Sequence, residues 1–162
     1  YIAPARAGSH CIGASFNLDD SDPEPRVRDH QGNLSALARA VPAWQGILAQ
    51  QDPAALCGRV GFRCASPDYL PLVGPVPDRA AFLRDFAGLR SNARQVIALR
   101  GEYLPGLVLS TAHGSRGLTS TPLAAEMLAS QICAEPPPLS RELGRALAPA
   151  RFIIRDLCRN RN

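Results

Sequence analysis

The sequence contains no lysine, and all 18 of its basic residues are arginine. The chain therefore cannot hold a cofactor as a lysine Schiff base, and it cannot form the Gly-x-x-x-x-Gly-Lys loop that binds nucleotide phosphates. The Gly-x-Gly-x-x-Gly pattern of dinucleotide-binding folds is also absent, and no run of about 18 apolar residues could cross a membrane. The net charge of +4 is mild and does not by itself indicate a nucleic-acid-binding protein.

Cysteine and histidine are present without the spacing of a metal site or a disulfide framework. The five cysteines are an odd number and form no Cys-x-x-Cys pair, which favours a reducing, cytoplasmic environment. The histidines His10, His30 and His113 are scattered along the chain, so we expect no bound metal.

The beginning of the chain indicates that it is part of a longer protein. The first residue is Tyr1 rather than Met, and the stretch "YIAPARAGSHCIGASF" starts in the middle of a pattern. Hydrophobic residues make up 46% of the chain and charged residues 20%, a composition typical of a globular protein. We expect roughly one domain with a real core.

Hydrophobic periodicity predicts both strands and helices. Residues 58–66 alternate in polarity and predict a strand that carries Arg63 away from the core face, and residues 10–16 alternate more weakly. A helix is predicted to start at Asn33, a good N-cap residue, and to be divided by Pro42. Further helices are predicted over residues 79–89 and 122–133, and after Ser140.

The stretch "STAHGSRGLTSTPLAAEML", residues 110–128, combines an apolar run, a turn with two glycines and a predicted helix start. A strand that passes through glycines into a helix N-terminus can bind an anion, since the first helical N–H groups lack partners. Pro122 is expected in the first helical turn. An ordinary strand–helix connection is the alternative. The Gly-x-Ser-x-Gly motif of serine hydrolases is not matched, because His113 lies two residues before Ser115.

Three stretches together carry a specific resemblance: "YIAPARAGSHCIGASF", "GFRCASPDYLPLVGPVPD" and "HGSRGLTSTPLAAEMLASQI". In this order they resemble the C-terminal part of the flavin domain of bifunctional tRNA-modifying enzymes in the D-amino-acid oxidase and glycine oxidase superfamily. The ending "LSRELGRALAPARFIIRDL" is similar to the tail of those enzymes. A wider superfamily signature is formed by Arg63, Asp68, Pro71 and Gly74.

The resemblance implies an α+β fold: an antiparallel substrate-domain sheet with the last flavin-domain strand and C-terminal helices. Residues 1–100 would be the later part of the substrate domain, and residues 101–135 the returning strand, flavin-facing loop and helix. Residues 136–162 would be C-terminal helices with a basic tail. The dinucleotide-binding glycines would lie in an N-terminal portion that is missing here. A methyltransferase domain with its S-adenosylmethionine would lie there too.

The resemblance also implies an FAD-dependent oxidoreductase acting on tRNA. The enzyme would oxidise carboxymethylaminomethyl-uridine at the wobble position, releasing glyoxylate and leaving aminomethyl-uridine for the methyltransferase half. The implied carboxylate-binding residue is Arg63, while Asp68, Pro71 and Gly74 would shape the turn. Residues along the flavin ring would be His113, Gly114, Ser115, Arg116, Gly117 and Leu118. Whether Arg116 contacts flavin, substrate or tRNA stays open.

Two other functions remain possible from the sequence. One is a free amine or glycine oxidase with small substrates, and the other is a non-catalytic module that binds RNA weakly. Residues 139–162 hold six arginines against Glu142 and Asp156, which favours tRNA as a partner over a small substrate. The stretch "RFIIRDL" in the same region also allows the tail to pack structurally.

Overall fold

The computed structural model describes residues 1–161, and over that range it contains six α-helices and one two-stranded antiparallel sheet. The α+β class implied by the resemblance is confirmed. The chain divides into two compact units, Tyr1–Phe62 and the part from Arg63 onward. None of the helices in the described range has the length and hydrophobicity of a membrane span.

The first unit starts with a short paired segment and continues into helices. Ile2 and Ile12 form an isolated antiparallel bridge, closed by a turn in which Ala7 and Gly8 have positive φ. Helix α1 spans Val27–Ala40, and Pro42 starts a 3-10 turn that leads into the short helix α2, Gln45–Leu48. The predicted division at Pro42 is confirmed. The predicted start at Asn33 is wrong, because α1 already begins at Val27.

Two strands form the sheet of the second unit. Strand β1, Leu72–Pro77, pairs with strand β2, Tyr103–Thr111, in a register that runs from Leu72 opposite Thr111. The pairing becomes irregular between Pro75 and Pro77, as expected where proline removes a ladder donor. The apolar run before the loop is therefore a strand, as predicted. Strand β1 was not predicted, because its prolines disfavour a strand assignment.

Four helices complete the second unit: α3 Arg79–Asp85, α4 Gly117–Ile132, α5 Arg141–Leu147 and α6 Arg151–Cys158. The core joins Val73 of β1 to Ala124 and Met127 of α4. The Ser140 hydroxyl accepts a hydrogen bond from the Leu143 amide at 3.3 Å, which confirms the predicted cap. Leu157 of α6 is fully buried, so the end of the chain packs as a helix.

The predicted strand over residues 58–66 is not formed. Its only ladder contact in the described range is the isolated bridge between Ala65 and His113, and Phe62 is 65% exposed. A strand needs a neighbour along its length to satisfy its backbone N–H and C=O groups, and residues 58–64 have no strand or bridge assignment in the described range. Alternation alone therefore did not produce a strand.

Candidate functional site

The glycine-containing loop is built by a sharp turn at the end of β2. Ala112 is buried and has a φ of 60°, which breaks the strand after Thr111. Gly114 follows with a φ of 55° and opens a 3-10 turn, Gly114–Arg116, that runs directly into α4. Helical structure therefore starts well before Pro122, which lies inside α4 rather than in its first turn. The predicted position of that proline is wrong.

The backbone amides at the start of this helical run have different partners. The Gly114 amide donates to the Cys64 carbonyl oxygen at 2.9 Å, and the Arg116 amide donates to the His113 carbonyl oxygen at 3.0 Å. For the Ser115 amide, no hydrogen-bond partner is found among residues 1–161, and Ser115 is exposed. An exposed amide at the positive end of a helix can donate to an anionic or carbonyl oxygen of a ligand.

The His113 side chain connects the end of the strand to the first turns of α4. Its Nδ1 lies 2.8 Å from Ser120 Oγ, and its Nε2 lies 2.9 Å from Ser110 Oγ. Ser120 Oγ donates its own proton to the Arg116 carbonyl oxygen at 2.9 Å, so it accepts from His113 Nδ1–H. The Nε2 atom is within hydrogen-bonding distance of the Ser110 hydroxyl. This network connects the loop to both the strand and the helix.

The structure brings the segment that carries Arg63 to the same loop. The Cys64 carbonyl oxygen accepts a hydrogen bond from the Gly114 amide, and Ala65 forms a β-bridge with His113. The backbone of Arg63, directly before Cys64, therefore lies next to the loop. Arg63 itself is exposed. Two regions that are far apart in the sequence and were predicted to share a site are therefore neighbours in the fold.

A cleft of about 230 Å³ lies beside the loop. Leu70, Leu123 and Met127 give it apolar walls, while His113 and Arg116 place polar groups at it. Arg116 therefore combines a position in the loop with access to a mostly apolar cleft. The sequence identified the loop but not the cleft, since the cleft needs β1 and its preceding turn to pack against α4.

A profile of the family described as FAD dependent oxidoreductase (DAO) matches residues 1–131. This chain belongs to that FAD-dependent oxidoreductase family. The match covers the Arg63 segment, the loop and most of α4, so all of the candidate site residues lie within the matched range.

The curated relatives are similar over almost the whole chain. Proteins named tRNA 5-methylaminomethyl-2-thiouridine biosynthesis bifunctional protein MnmC are 49% identical in Pseudomonas paraeruginosa and 47% identical in Stutzerimonas stutzeri, each over 98% of this chain. The Pseudomonas putida protein is 45% identical over 99% of it. The chain spans about a quarter of the length of these relatives.

The loop fits the FAD that this oxidoreductase family uses. A Cβ added at Gly114 would meet only Ala65 Cβ at 3.7 Å, and one at Gly117 only His113 Cβ at 3.8 Å. The backbone on this side is therefore uncrowded, so a flat ring can approach it closely. Leu118, in the first turn of α4, is 99% exposed and offers an apolar surface. In the described range, no group of metal-binding side chains is assembled.

One residue assigned to the basic tail has a different role in the structure. The Arg151 side chain is only 12% exposed and pairs with Asp68, 83 positions earlier in the chain. Arg155 is also partly buried, with 33% of its side chain exposed. The exposed arginines of residues 139–161 are Arg141, Arg145, Arg159 and Arg161. No spacing in the sequence indicates so distant an ion pair.

Proposed function

We propose that the natural gene product containing this chain oxidises carboxymethylaminomethyl-uridine in tRNA. A hydride leaves the glycine-like carbon, the amine nitrogen forms a C=N bond to that carbon, and water cleaves the product into glyoxylate and aminomethyl-uridine. The hydrogen bond between the Gly114 amide and the Cys64 carbonyl oxygen carries the proposal. It holds the backbone beside Arg63 against the flavin-facing loop.

The residues divide the chemistry between substrate and cofactor. Bound FAD would supply the hydride acceptor. The Arg63 guanidinium would pair with the substrate carboxylate and so orient the carbon that is oxidised. The Ser115 amide and the adjoining helix start would face the pyrimidine end of the flavin, together with the backbone of His113, Gly117 and Leu118. A fixed positive dipole at that place stabilises negative charge that develops there.

Support for tRNA as the substrate comes from two sources. The names of the curated relatives refer to the biosynthesis of a modified tRNA uridine. The exposed arginines Arg141, Arg145, Arg159 and Arg161 provide charges that phosphate groups can contact. We propose that a methyltransferase half of the natural gene product then methylates the aminomethyl group.

Tyr69, which lines the cleft with Arg116, is exposed and available to an aromatic ligand.

The test offers the FAD-loaded gene product two substrates. One is tRNA that carries carboxymethylaminomethyl-uridine, and the other is free glycine without tRNA. We expect glyoxylate only from the tRNA, with conversion of the nucleoside seen by mass spectrometry. Efficient oxidation of free glycine would instead establish a small-amine oxidase, and glyoxylate from neither substrate would leave only a binding role.

A further inference from the structure

Arg151 at the start of α6 uses all five of its N–H donors within the protein. Its Nε and one Nη2 hydrogen bind the two oxygens of the Asp68 carboxylate, each at 2.9 Å. The second Nη2 hydrogen binds the Leu70 carbonyl oxygen at 2.8 Å, and Nη1 binds the carbonyl oxygens of Leu147 and Ala148 at 3.1 and 3.3 Å. A guanidinium satisfied in this way is a rigid connector that lysine cannot replace.

The Asp68 carboxylate in turn organises the tight turn that precedes β1. Its Oδ1 accepts the Leu70 amide at 3.1 Å and lies 2.7 Å from the hydroxyl of buried Ser66. Tyr69, between them, has a φ of 59°, a conformation that costs free energy in any residue other than glycine. The pairing with Arg151 therefore stabilises a turn that the local sequence alone does not favour.

This turn is continuous with the segment at the candidate site. Cys64 and Ala65, which contact Gly114 and His113, are followed at once by buried Ser66. The Arg63 segment is therefore fixed on one side by the loop and on the other by the turn that Arg151 clamps. The clamp extends across the fold from the C-terminal helix to the residue proposed to bind the substrate carboxylate.

We propose that Arg151 is a positioning residue that holds Arg63 in place for substrate binding by clamping the turn at residues 66–70. This inference rests on the proposed function of Arg63. Arg151 itself contacts neither substrate nor cofactor in this account. It acts through Asp68 and the backbone between Ser66 and Arg63, and its loss releases that backbone while the loop of α4 keeps its own contacts.

Arg155 provides a matched control on the same helix. Both arginines lie over the Phe152 ring, each with its guanidinium carbon 4.4 Å from the ring centroid. Arg155, however, pairs only with its neighbour Asp156, at 3.7 Å, and its buried Nε has no hydrogen-bond partner in the described part of the chain. Removing Arg155 therefore changes the helix surface and the ring contact without touching the turn.

The experiment is a double-mutant cycle in the FAD-loaded gene product, with KM and kcat for glyoxylate release from modified tRNA. We expect Arg151→Gln to raise KM by about tenfold while FAD content is unchanged. The reason is that a displaced Arg63 loses the free energy of one charge-assisted pair with the substrate carboxylate. Arg155→Gln should change KM by less than about twofold, since its pairing with Asp156, at 3.7 Å, lies outside the turn at residues 66–70. In an Arg63→Ala background, Arg151→Gln should add less than about twofold, because both changes remove one function.

Each outcome decides the proposal. Equal effects of Arg151→Gln with and without Arg63, or a loss of FAD that parallels the rise in KM, would reduce Arg151 to a general stabilising residue. If Arg63→Ala leaves KM unchanged, the proposed function of Arg63 fails, and this inference fails with it. Should Arg151→Gln not fold, Asp68→Asn removes the same ion pair with little change of shape and goes through the same cycle.

Discussion

The Gly114 amide and the Cys64 carbonyl oxygen are joined by a hydrogen bond of 2.9 Å between two regions far apart in the sequence. One region contains the loop that leads into α4, and the other contains Arg63. Gly114, which has a φ of 55°, provides this amide, so one glycine of the loop is joined directly to the segment that carries Arg63. The five predictions that follow test the site and the residues that support it.

In the gene product, Gly114→Ala should lower the free energy of unfolding and weaken the retention of FAD. A residue with a Cβ pays roughly 1 kcal/mol in the left-handed conformation that Gly114 adopts, even though the space around it is open. Gly144→Ala is the control, because Gly144 lies within helix α5, outside the loop, and a Cβ there would meet no atom within 4 Å. Chemical unfolding and flavin absorbance measure the two effects. Equal behaviour of the two variants would disprove the role of the Gly114 conformation.

Arg63→Ala in the gene product should lower turnover of modified tRNA much more than FAD content. The loss of a bidentate contact to a carboxylate costs roughly 1.5–3 kcal/mol, or about ten- to hundredfold in kcat/KM. Arg63→Lys should restore this only partly, because one ammonium group does not reproduce the guanidinium fork. Arg59→Ala, at another exposed arginine, is the control. Normal turnover of Arg63→Ala would exclude Arg63 as the carboxylate anchor.

Asp68→Asn should flatten the acid side of the stability profile. The Arg151 guanidinium holds the pKa of Asp68 well below its usual range. Because the pKa is lower in the folded state, the pair stabilises the protein fully above the unfolded pKa of about 3.9, and this stabilisation is lost as the pH falls below it. Urea unfolding at neutral pH and at about pH 3 measures the difference. Exposed Glu126→Gln on α4 is the control. An unchanged acid slope in Asp68→Asn would contradict the role of this pair.

Replacing Arg141, Arg145, Arg159 and Arg161 with glutamine should weaken tRNA binding in a salt-dependent manner. Each lost phosphate contact lowers the slope of log affinity against log salt by about 0.7–0.9. Arg155→Gln should leave the slope unchanged, since its side chain is partly buried. Binding measured over a series of salt concentrations gives the slopes, and the flavin spectrum should not change. If the quadruple variant keeps the original slope of log affinity against log salt, these arginines serve solubility instead.

The chain alone should bind FAD weakly. It contains the loop proposed to face the flavin ring, but the sequence has no Gly-x-Gly-x-x-Gly motif to hold the pyrophosphate. Titration of FAD into the purified chain, followed by flavin fluorescence, measures the affinity. Stoichiometric binding at micromolar concentration would show that the residues present here are sufficient, and the need for an additional phosphate-binding segment would then be rejected.

Sequence patterns succeeded where the decisive interactions are local. Pro42 ends α1 and Ser140 caps α5, because each acts on a backbone within a few residues of itself. They failed where a local preference was overridden. Asn33 and Pro122 both lie inside helices that begin earlier, at Val27 and Gly117. The roles assigned to Arg63 and to residues 113–118 stay predictions, supported by the closeness of the two segments.

The sequence by itself determined the family, through the stretches that carry the resemblance, and the resemblance implied the α+β class. The glycine-containing loop was recognised from its own residues, since a strand, a turn and a helix start follow one another there. Only the tertiary structure decided that Arg151 belongs to the turn at Asp68 and that Arg63 starts next to Gly114. The physical reason is that these contacts join residues far apart along the chain. A guanidinium that is solvated in an open tail and one that is buried against a carboxylate have the same letter in the sequence, and only packing distinguishes them.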